Sequence, residues 1–272
     1  MTLMLLAFTS SKLAASHIVG GEVGYKFIAF NSDKSYVTFE INFTIYRDQN
    51  GIDYDQFANF GIYTSPNNTD WKSYDVIKDI RVSNIREILA PEDPCGDRLL
   101  SDDAIEKANY TFNISLAVTD NYYKIVYQKC CRNNTINNIL DPGITGAVYD
   151  ITIYPIALKE GNNSPTFKSL PPTFICANKD LIYDHSAIDE DGDILRYKFI
   201  APFAAGGGAA FSPECCNCQN PDPAFCPPPF DNVSYISPFK FDQPMGGNPV
   251  IDISNEDGLI TGKPITLGSY VV

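Results

Sequence analysis

From Ser35 to Tyr46 the chain reads S-Y-V-T-F-E-I-N-F-T-I-Y. Val37, Phe39, Ile41, Phe43 and Ile45 fall at every second position, with Thr38, Glu40, Asn42 and Thr44 between them. A helix would scatter these apolar residues around its circumference, whereas an extended strand puts them on one face. The polar residues then form a second, wetter face, as in an antiparallel sheet with one side on a core.

Similar segments recur at Val23–Phe30, Phe57–Tyr63, Asp79–Ile88, Tyr110–Val118, Tyr122–Cys130 and Ala147–Ala157. Loops such as Ser65-Pro66-Asn67-Asn68 and Asp141-Pro142-Gly143 separate them. Seven short strands in this span predict an immunoglobulin-like or fibronectin-like sandwich. Only 101–108, S-D-D-A-I-E-K-A, reads as a helical turn. Gly161-Asn162-Asn163-Ser164-Pro165 marks a boundary, because the polar run and the proline stop the preceding strand.

A second β unit follows, with strands expected at Leu181–Ala187, Ile194–Ile200, Val250–Ile253 and Gly268–Val272. The fold class expected is therefore all-β, with two tandem immunoglobulin-like or cadherin-like β-sandwich domains at 17–160 and 161–272. Within the second unit lies the irregular stretch 201–241, which carries Gly206-Gly207-Gly208, four cysteines and Pro227-Pro228-Pro229. A loop of that length is a stapled functional loop or an insertion. The strand pattern at Ser269-Tyr270-Val271-Val272 suggests a polypeptide that continues, with further domains.

Eight cysteines suit an oxidising compartment, where they serve as disulfide partners: Cys95, Cys130, Cys131, Cys176, Cys215, Cys216, Cys218 and Cys226. A zinc knot at Cys215–Cys226 is disfavoured by irregular spacing and the lack of a nearby His. Pairing is open, since eight cysteines allow on the order of a hundred connectivities. Cys95 is tried with Cys130 or Cys131, and Cys176 with a cysteine of the second unit. Residues 1–16, with an apolar run Leu3–Phe8 and then Ala14-Ala15-Ser16, read as a signal peptide. No run approaches the roughly 18–20 apolar residues of a membrane span. The net charge of −13 argues against nucleic acid as a partner.

Asp189-Glu190-Asp191-Gly192-Asp193 is the sharpest chemical feature. Alternate carboxylates at Asp189, Asp191 and Asp193 suit a calcium ion, which takes roughly six to eight oxygens. Ile194 follows Asp193, so the run is no EF-hand, and a cadherin-type edge site with Asp184 fits better. The alternative is a solvated turn. His17-Ile18-Val19-Gly20-Gly21 looks like the start of a trypsin-like protease, but no nucleophilic G-D-S-G-G is present. No pair of acids stands out for glycoside hydrolysis. Sequons occur at Asn42, Asn109, Asn113 and Asn232, and Tyr36, Tyr46, Tyr122 and Trp71 are aromatics that could stack on sugars or pack a sandwich.

Four stretches carry a family resemblance: A-S-H-I-V-G-G-E-V-G-Y-K (15–26), I-V-Y-Q-K-C-C-R-N (125–133), N-S-P-T-F-K-S-L-P-P-T-F-I-C-A-N (163–178) and L-I-Y-D-H-S-A-I-D-E-D-G-D-I-L-R-Y (181–197). Together they resemble the N-terminal region of Bacteroidetes-type surface proteins. These are the gliding-motility-associated, type IX-secreted proteins with PKD, immunoglobulin-like or cadherin-like repeats. G-L-I-T-G-K-P-I-T-L-G-S-Y-V-V (258–272) is similar to a repeat ending of that kind. Relatives usually carry Cys where this chain has Phe27 and Gln49, which implies one missing disulfide between adjacent strands, with Phe27 packing in its place. The resemblance implies display outside the cell, at the outer membrane surface. It implies a non-enzymatic role in adhesion, attachment or gliding, toward a surface, a polysaccharide or a protein. Structural spacing is the alternative, and a secreted glycosidase a second one.

Overall fold

The computed structural model describes residues 18–88, 95, 105–170, 172, 174–207, 216–218 and 220–272. The signal-peptide reading of 1–16 and Cys215 lie outside them. Seven strands come first: β1 (Ile18–Phe30), β2 (Tyr36–Asp48), β3 (Phe57–Ser65), β4 (Lys72–Ile88), β5 (Ile105–Ala117), β6 (Tyr122–Lys129) and β7 (Ala147–Ile153). They form one antiparallel sheet in the order β1-β2-β5-β4-β3-β6-β7.

The sheet folds on itself through β4. Residues Lys72 to Arg81 pair with β3, while Val82 to Ile88 pair with β5. The hand-over is marked by irregular register, and Asp79 (φ 58°) and Asn84 (φ 52°) take left-handed backbone there. Asp and Asn tolerate that conformation better than other side-chain-bearing residues, and such irregularities bend a strand. Asn59 Oδ1 accepts the Asp79 N–H at 3.0 Å, which satisfies a donor the bulge takes out of the ladder.

The inner faces of the two half-sheets meet in an aromatic core. Val37, Phe39, Ile41, Phe43 and Ile45 are all buried, as their alternation requires. Phe43 meets Phe60 of β3 at 5.9 Å, Tyr127 of β6 at 4.8 Å and Tyr149 of β7 at 5.3 Å between ring centroids. Phe60 in turn meets Phe112 of β5 at 4.9 Å. Rings at such separations in tilted or edge-on poses add about 0.5–1.5 kcal/mol per pair beyond area burial.

Several boundaries differ from the sequence reading. Residues 105–108 are strand and not helix, because Ala108 continues the buried register of Tyr110 and Phe112 and pairs with Ile45. The strand expected through Ala157 stops at Ile153. Pro155 instead opens α1 (Pro155–Glu160), whose end is Gly161 at φ 78°; proline at the first helical position costs no hydrogen bond.

The remaining strands are short: β8 (Thr166–Phe167), β9 (Leu181–Asp184), β10 (Ala187–Ile188), β11 (Asp252–Ile253) and β12 (Leu259–Gly262). They make a β8-β10 pair and a three-stranded β11-β12-β9 sheet. Ile194–Ile200 alternates between half-buried and exposed side chains but joins no ladder, and 268–272 adds only an isolated bridge, Ile136 to Ser269. Strand pattern specifies which side chains share a face; a ladder also needs a neighbour. His185 stacks on Phe167 at 4.3 Å, and its Nδ1 is buried without a hydrogen-bond partner.

Two outcomes follow. Phe43→Ala should destabilise the chain by about 3–5 kcal/mol in chemical denaturation, the cost of a large cavity in a packed core. Burial pushes the His185 imidazole below its ordinary value against the pull of Glu22 and Asp184, so the folded chain holds it neutral. The unfolded chain takes up that proton below about pH 6.5. Stability therefore falls as pH drops below that value, until the folded imidazole also protonates. Thermal melts between about pH 8 and 5 should show a smaller acid loss for His185→Phe than for the parent.

Candidate functional site

The inward register of β2 runs Val37, Phe39, Ile41, Phe43, Ile45 and then Arg47. That of β6 runs Tyr123, Ile125, Tyr127 and then Lys129. Each strand thus ends its core-facing row with a cation, and both come to the same end of the folded sheet.

Arg47 is 7% exposed, so its guanidinium has lost most of its water. A buried charge of this kind persists only when paired and hydrogen-bonded. Its Nε and one terminal nitrogen hold Glu106 of β5 at 3.0 and 2.7 Å. The same terminal nitrogen reaches Asp53 at 3.0 Å, and the other donates to the Gly51 and Ile52 carbonyls at 3.1 and 3.0 Å. The fork therefore pins the 51–53 loop to β2, and Tyr54 lies against it with the guanidinium 5.0 Å from the ring centre.

Asp55 is fixed in the same way. Lys129 Nζ stands 2.7 Å from its carboxylate, Tyr127 donates its hydroxyl to it at 3.3 Å, and Tyr110 donates to its carbonyl oxygen. Burial, reinforced by the Asp55 charge, pushes the Tyr110 and Tyr127 hydroxyls well above their ordinary values, and burial does the same for Tyr54. All three stay protonated at neutral pH. These groups enclose a cavity of about 170 Å³, completed by Ile18, Ile45, Ile52 and the adjacent Cys130 and Cys131.

The described part of the 201–241 stretch reaches the cavity's rim at Asn220, which bonds to Lys129. β3 is buried continuously from Phe60 to Tyr63, and β6 from Ile125 to Gln128, so both faces of these strands are covered. Tyr63 turns outward and donates its hydroxyl to the Pro223 and Cys226 carbonyls at 2.6 and 3.1 Å. Gln128 Nε2 donates to the Cys226 carbonyl at 2.8 Å, and Lys129 Nζ to Asn220 Oδ1 at 2.6 Å. Gly61 makes room for the Tyr63 ring, since a Cβ there would come within 2.5 Å of the hydroxyl oxygen. A disulfide, Cys216–Cys226, closes this part of the loop, and Cys218, between the two in sequence, is buried. Arg132 adds a clamp by donating to the Phe203 carbonyl at 3.1 Å.

Two further bridges are present among the described residues. Cys95 pairs with Cys176 across 81 residues, which corrects both pairings tried from the sequence. A cross-link closing so long a loop is worth on the order of 4 kcal/mol in the chain-entropy account. Cys130 and Cys131 form a vicinal disulfide. The bridge that the resemblance implied between positions 27 and 49 has no place here. Phe27 pairs with Phe39 and Ile18 with Arg47, so positions 27 and 49 stand at opposite ends of the β1–β2 ladder. Phe27 packs instead on Phe30 and Phe39.

Asp189, Asp191 and Asp193 sit together in a turn that Gly192, at φ 85°, permits. Asp189 Oδ1 accepts the N–H groups of Asp191 and Asp193 at 2.9 and 3.0 Å. Asp191 takes the Asn163 N–H at 2.6 Å, and Asp193 takes the Asn162 amide at 2.6 Å. Asn163 Oδ1 then accepts the Phe27 N–H at 2.8 Å, so the turn is tied through the 162–164 segment to β1. Among the described residues, no three His, Cys, Asp or Glu side chains form a group able to hold a metal ion.

Of the aromatics singled out in the sequence, Tyr46 is buried and donates to Glu22 at 2.8 Å, while Tyr36 is exposed. Tyr122 packs on Tyr154, and Trp71 lies under the Lys124 ammonium. None of the four lines the cavity. Sequon residues Asn42 and Asn109 bond to each other at 3.0 Å on the outer face of β2 and β5. The cavity residues Arg47, Asp53, Asp55 and Lys129 were passed over in the sequence. Their signal was the register itself, two cations placed where the next inward apolar residue belongs.

No helix among the described residues is long and apolar enough to cross a membrane. Comparison with protein-family models, with curated proteins and with solved structures gives no match.

Removing the Tyr63 hydroxyl tests how the loop is held. Tyr63→Phe leaves the Pro223 carbonyl without its bond and should cost about 1–3 kcal/mol. Limited proteolysis within 201–241 should be faster for this variant, and faster again for Tyr63→Phe combined with Gln128→Ala.

Proposed function

We propose that this chain is a non-catalytic binding module of an exported, cell-surface protein, of the gliding-motility-associated kind that its sequence resembles. The observation that carries this reading is the stapled 201–241 loop, fastened over β3 and β6 beside a ring-sized cavity. A loop held by a disulfide and by side-chain hydrogen bonds presents a fixed surface, and preorganisation of that sort lowers the entropy cost of binding.

The strand order supports an immunoglobulin-like unit for the first half, since β1-β2-β5-β4 and β3-β6-β7 correspond to the two layers of that sandwich. The short β8–β12 sheets fit a second, cadherin-like unit. The three disulfides among the described residues suit an oxidising, extracellular location. The acids around the cavity are spent on structure: Asp55 on Lys129, Glu106 and Asp53 on Arg47. That favours holding a ligand over turning one over. The spacer reading draws on the Asn162–Asn163 clamp, which stiffens the link between the two units.

Purified protein should bind one or more extracellular polysaccharides or cell surfaces in array and pull-down measurements. The paired Cys216→Ser and Cys226→Ser variant should lose that binding while keeping its β-type circular dichroism. Turnover of a bound glycan, or the absence of binding to every polysaccharide and cell surface offered, would overturn the reading.

A further inference from the structure

We propose that the cavity at the end of β2 and β6 is a subsite for a single neutral or amino-bearing pyranose ring, which deepens the binding reading above and rests on it. The argument begins with size. A cavity of about 150 Å³ accepts one six-membered carbon ring, and this one measures about 170 Å³. A single sugar residue fits with its rim hydroxyls at the mouth; a disaccharide does not.

The lining matches the two-sided chemistry of a sugar. A pyranose presents faces of C–H groups and an equator of hydroxyls. Ile45, Ile52, Tyr54 and Tyr110 supply apolar and aromatic wall. Lys129 and Asp55 supply the polar rim. An ammonium has three donors, and Lys129 directs them at both Asp55 oxygens and at Asn220 Oδ1, while the Asp55 carboxylate keeps lone pairs that accept from sugar hydroxyls. The Tyr110 and Tyr127 hydroxyls spend their protons on Asp55 and keep oxygen lone pairs as acceptors. The wall positions are preset: Arg47 holds 51–53 and Asp55 is held from three sides. Little ordering is left for the ligand to impose.

Charge decides between sugar classes. Arg47 and Lys129 are the cations, and Glu106, Asp53 and Asp55 the carboxylates they engage, two against three. The site therefore has no spare positive charge for a uronate or a sialate. The chain as a whole carries −13 and repels such sugars at longer range. A hydroxylated ring without an acid, or one bearing an ammonium, meets no such penalty.

The test uses the whole chain with methyl glycosides of neutral hexoses, of an amino sugar and of glucuronic acid, read by saturation-transfer NMR and titration calorimetry. At least one neutral or amino glycoside should bind with a dissociation constant on the order of millimolar, as a ligand of this size allows. The glucuronide should bind at least about tenfold more weakly. Ile52→Trp fills the cavity from an exposed loop position and should abolish the signal with circular dichroism unchanged. Intermolecular NOEs from the bound sugar to the Tyr54 ring supply a readout independent of any variant. Absence of binding by all neutral and amino glycosides, preference for the glucuronide, or binding undisturbed by a folded Ile52→Trp protein would each overturn the proposal. If Ile52→Trp binds polysaccharide as the parent does and the cysteine variant does not, the loop-based reading stands and the subsite falls.

Discussion

Everything around the cavity is positioned by one packed face, the inward row of β2 against β3, β5, β6 and β7. Phe43 is its centre, in contact with rings from β3, β5, β6 and β7. Because side chains of a strand alternate strictly, fixing Phe43 inward also fixes Ile45 and Arg47 inward. The same constraint on β6 carries Tyr127 and then Lys129 to the same end. The charged pair is a consequence of register, set by hydrophobic burial several residues away.

The outer face of β3 and β6 tells a complementary story. A sheet of this kind is ordinarily wet on one side, yet here four consecutive residues of each strand are buried. The cover is irregular chain, and irregular chain brings unpaired backbone carbonyls with it. Tyr63 and Gln128 answer that need by donating to Pro223 and Cys226. An outward Tyr and Gln on neighbouring strands would serve poorly against an apolar layer, and they suit a loop with carbonyls to satisfy.

Much of the architecture was legible because it depends on local pattern. Segments of all seven strands of the large sheet were marked in the sequence, although the last of them gives way at Pro155 to a helix that the pattern did not show. What escaped depends on partners. S-D-D-A-I-E-K-A has helix formers, but its second half is drawn into β5 by pairing with β2, a tertiary term that outweighs propensity. Ile194–Ile200 has the right alternation and no ladder beside it. Cysteine pairing is a matter of distance in space, so Cys95–Cys176 could not be told from its competitors. The candidate site was the least legible part. Arg47 and Lys129 look like ordinary strand ends until the apolar rows they terminate are counted residue by residue. The acidic turn was noticed for its charges, and its observed partners are the amides of Asn162 and Asn163.

The long strand β4, shared by both halves of the sheet, has a mechanical corollary. Layers held together only by side-chain contact can be slid apart once those contacts are strained. Here 17 residues of continuous polypeptide run from one layer into the other. A tug on either layer is passed along peptide bonds before it is felt by the interior, so shear must first strip hydrogen bonds from two flanking neighbours. For a molecule anchored at one point and dragged at another, such stitching spreads load along the fabric of the fold and spares its filling.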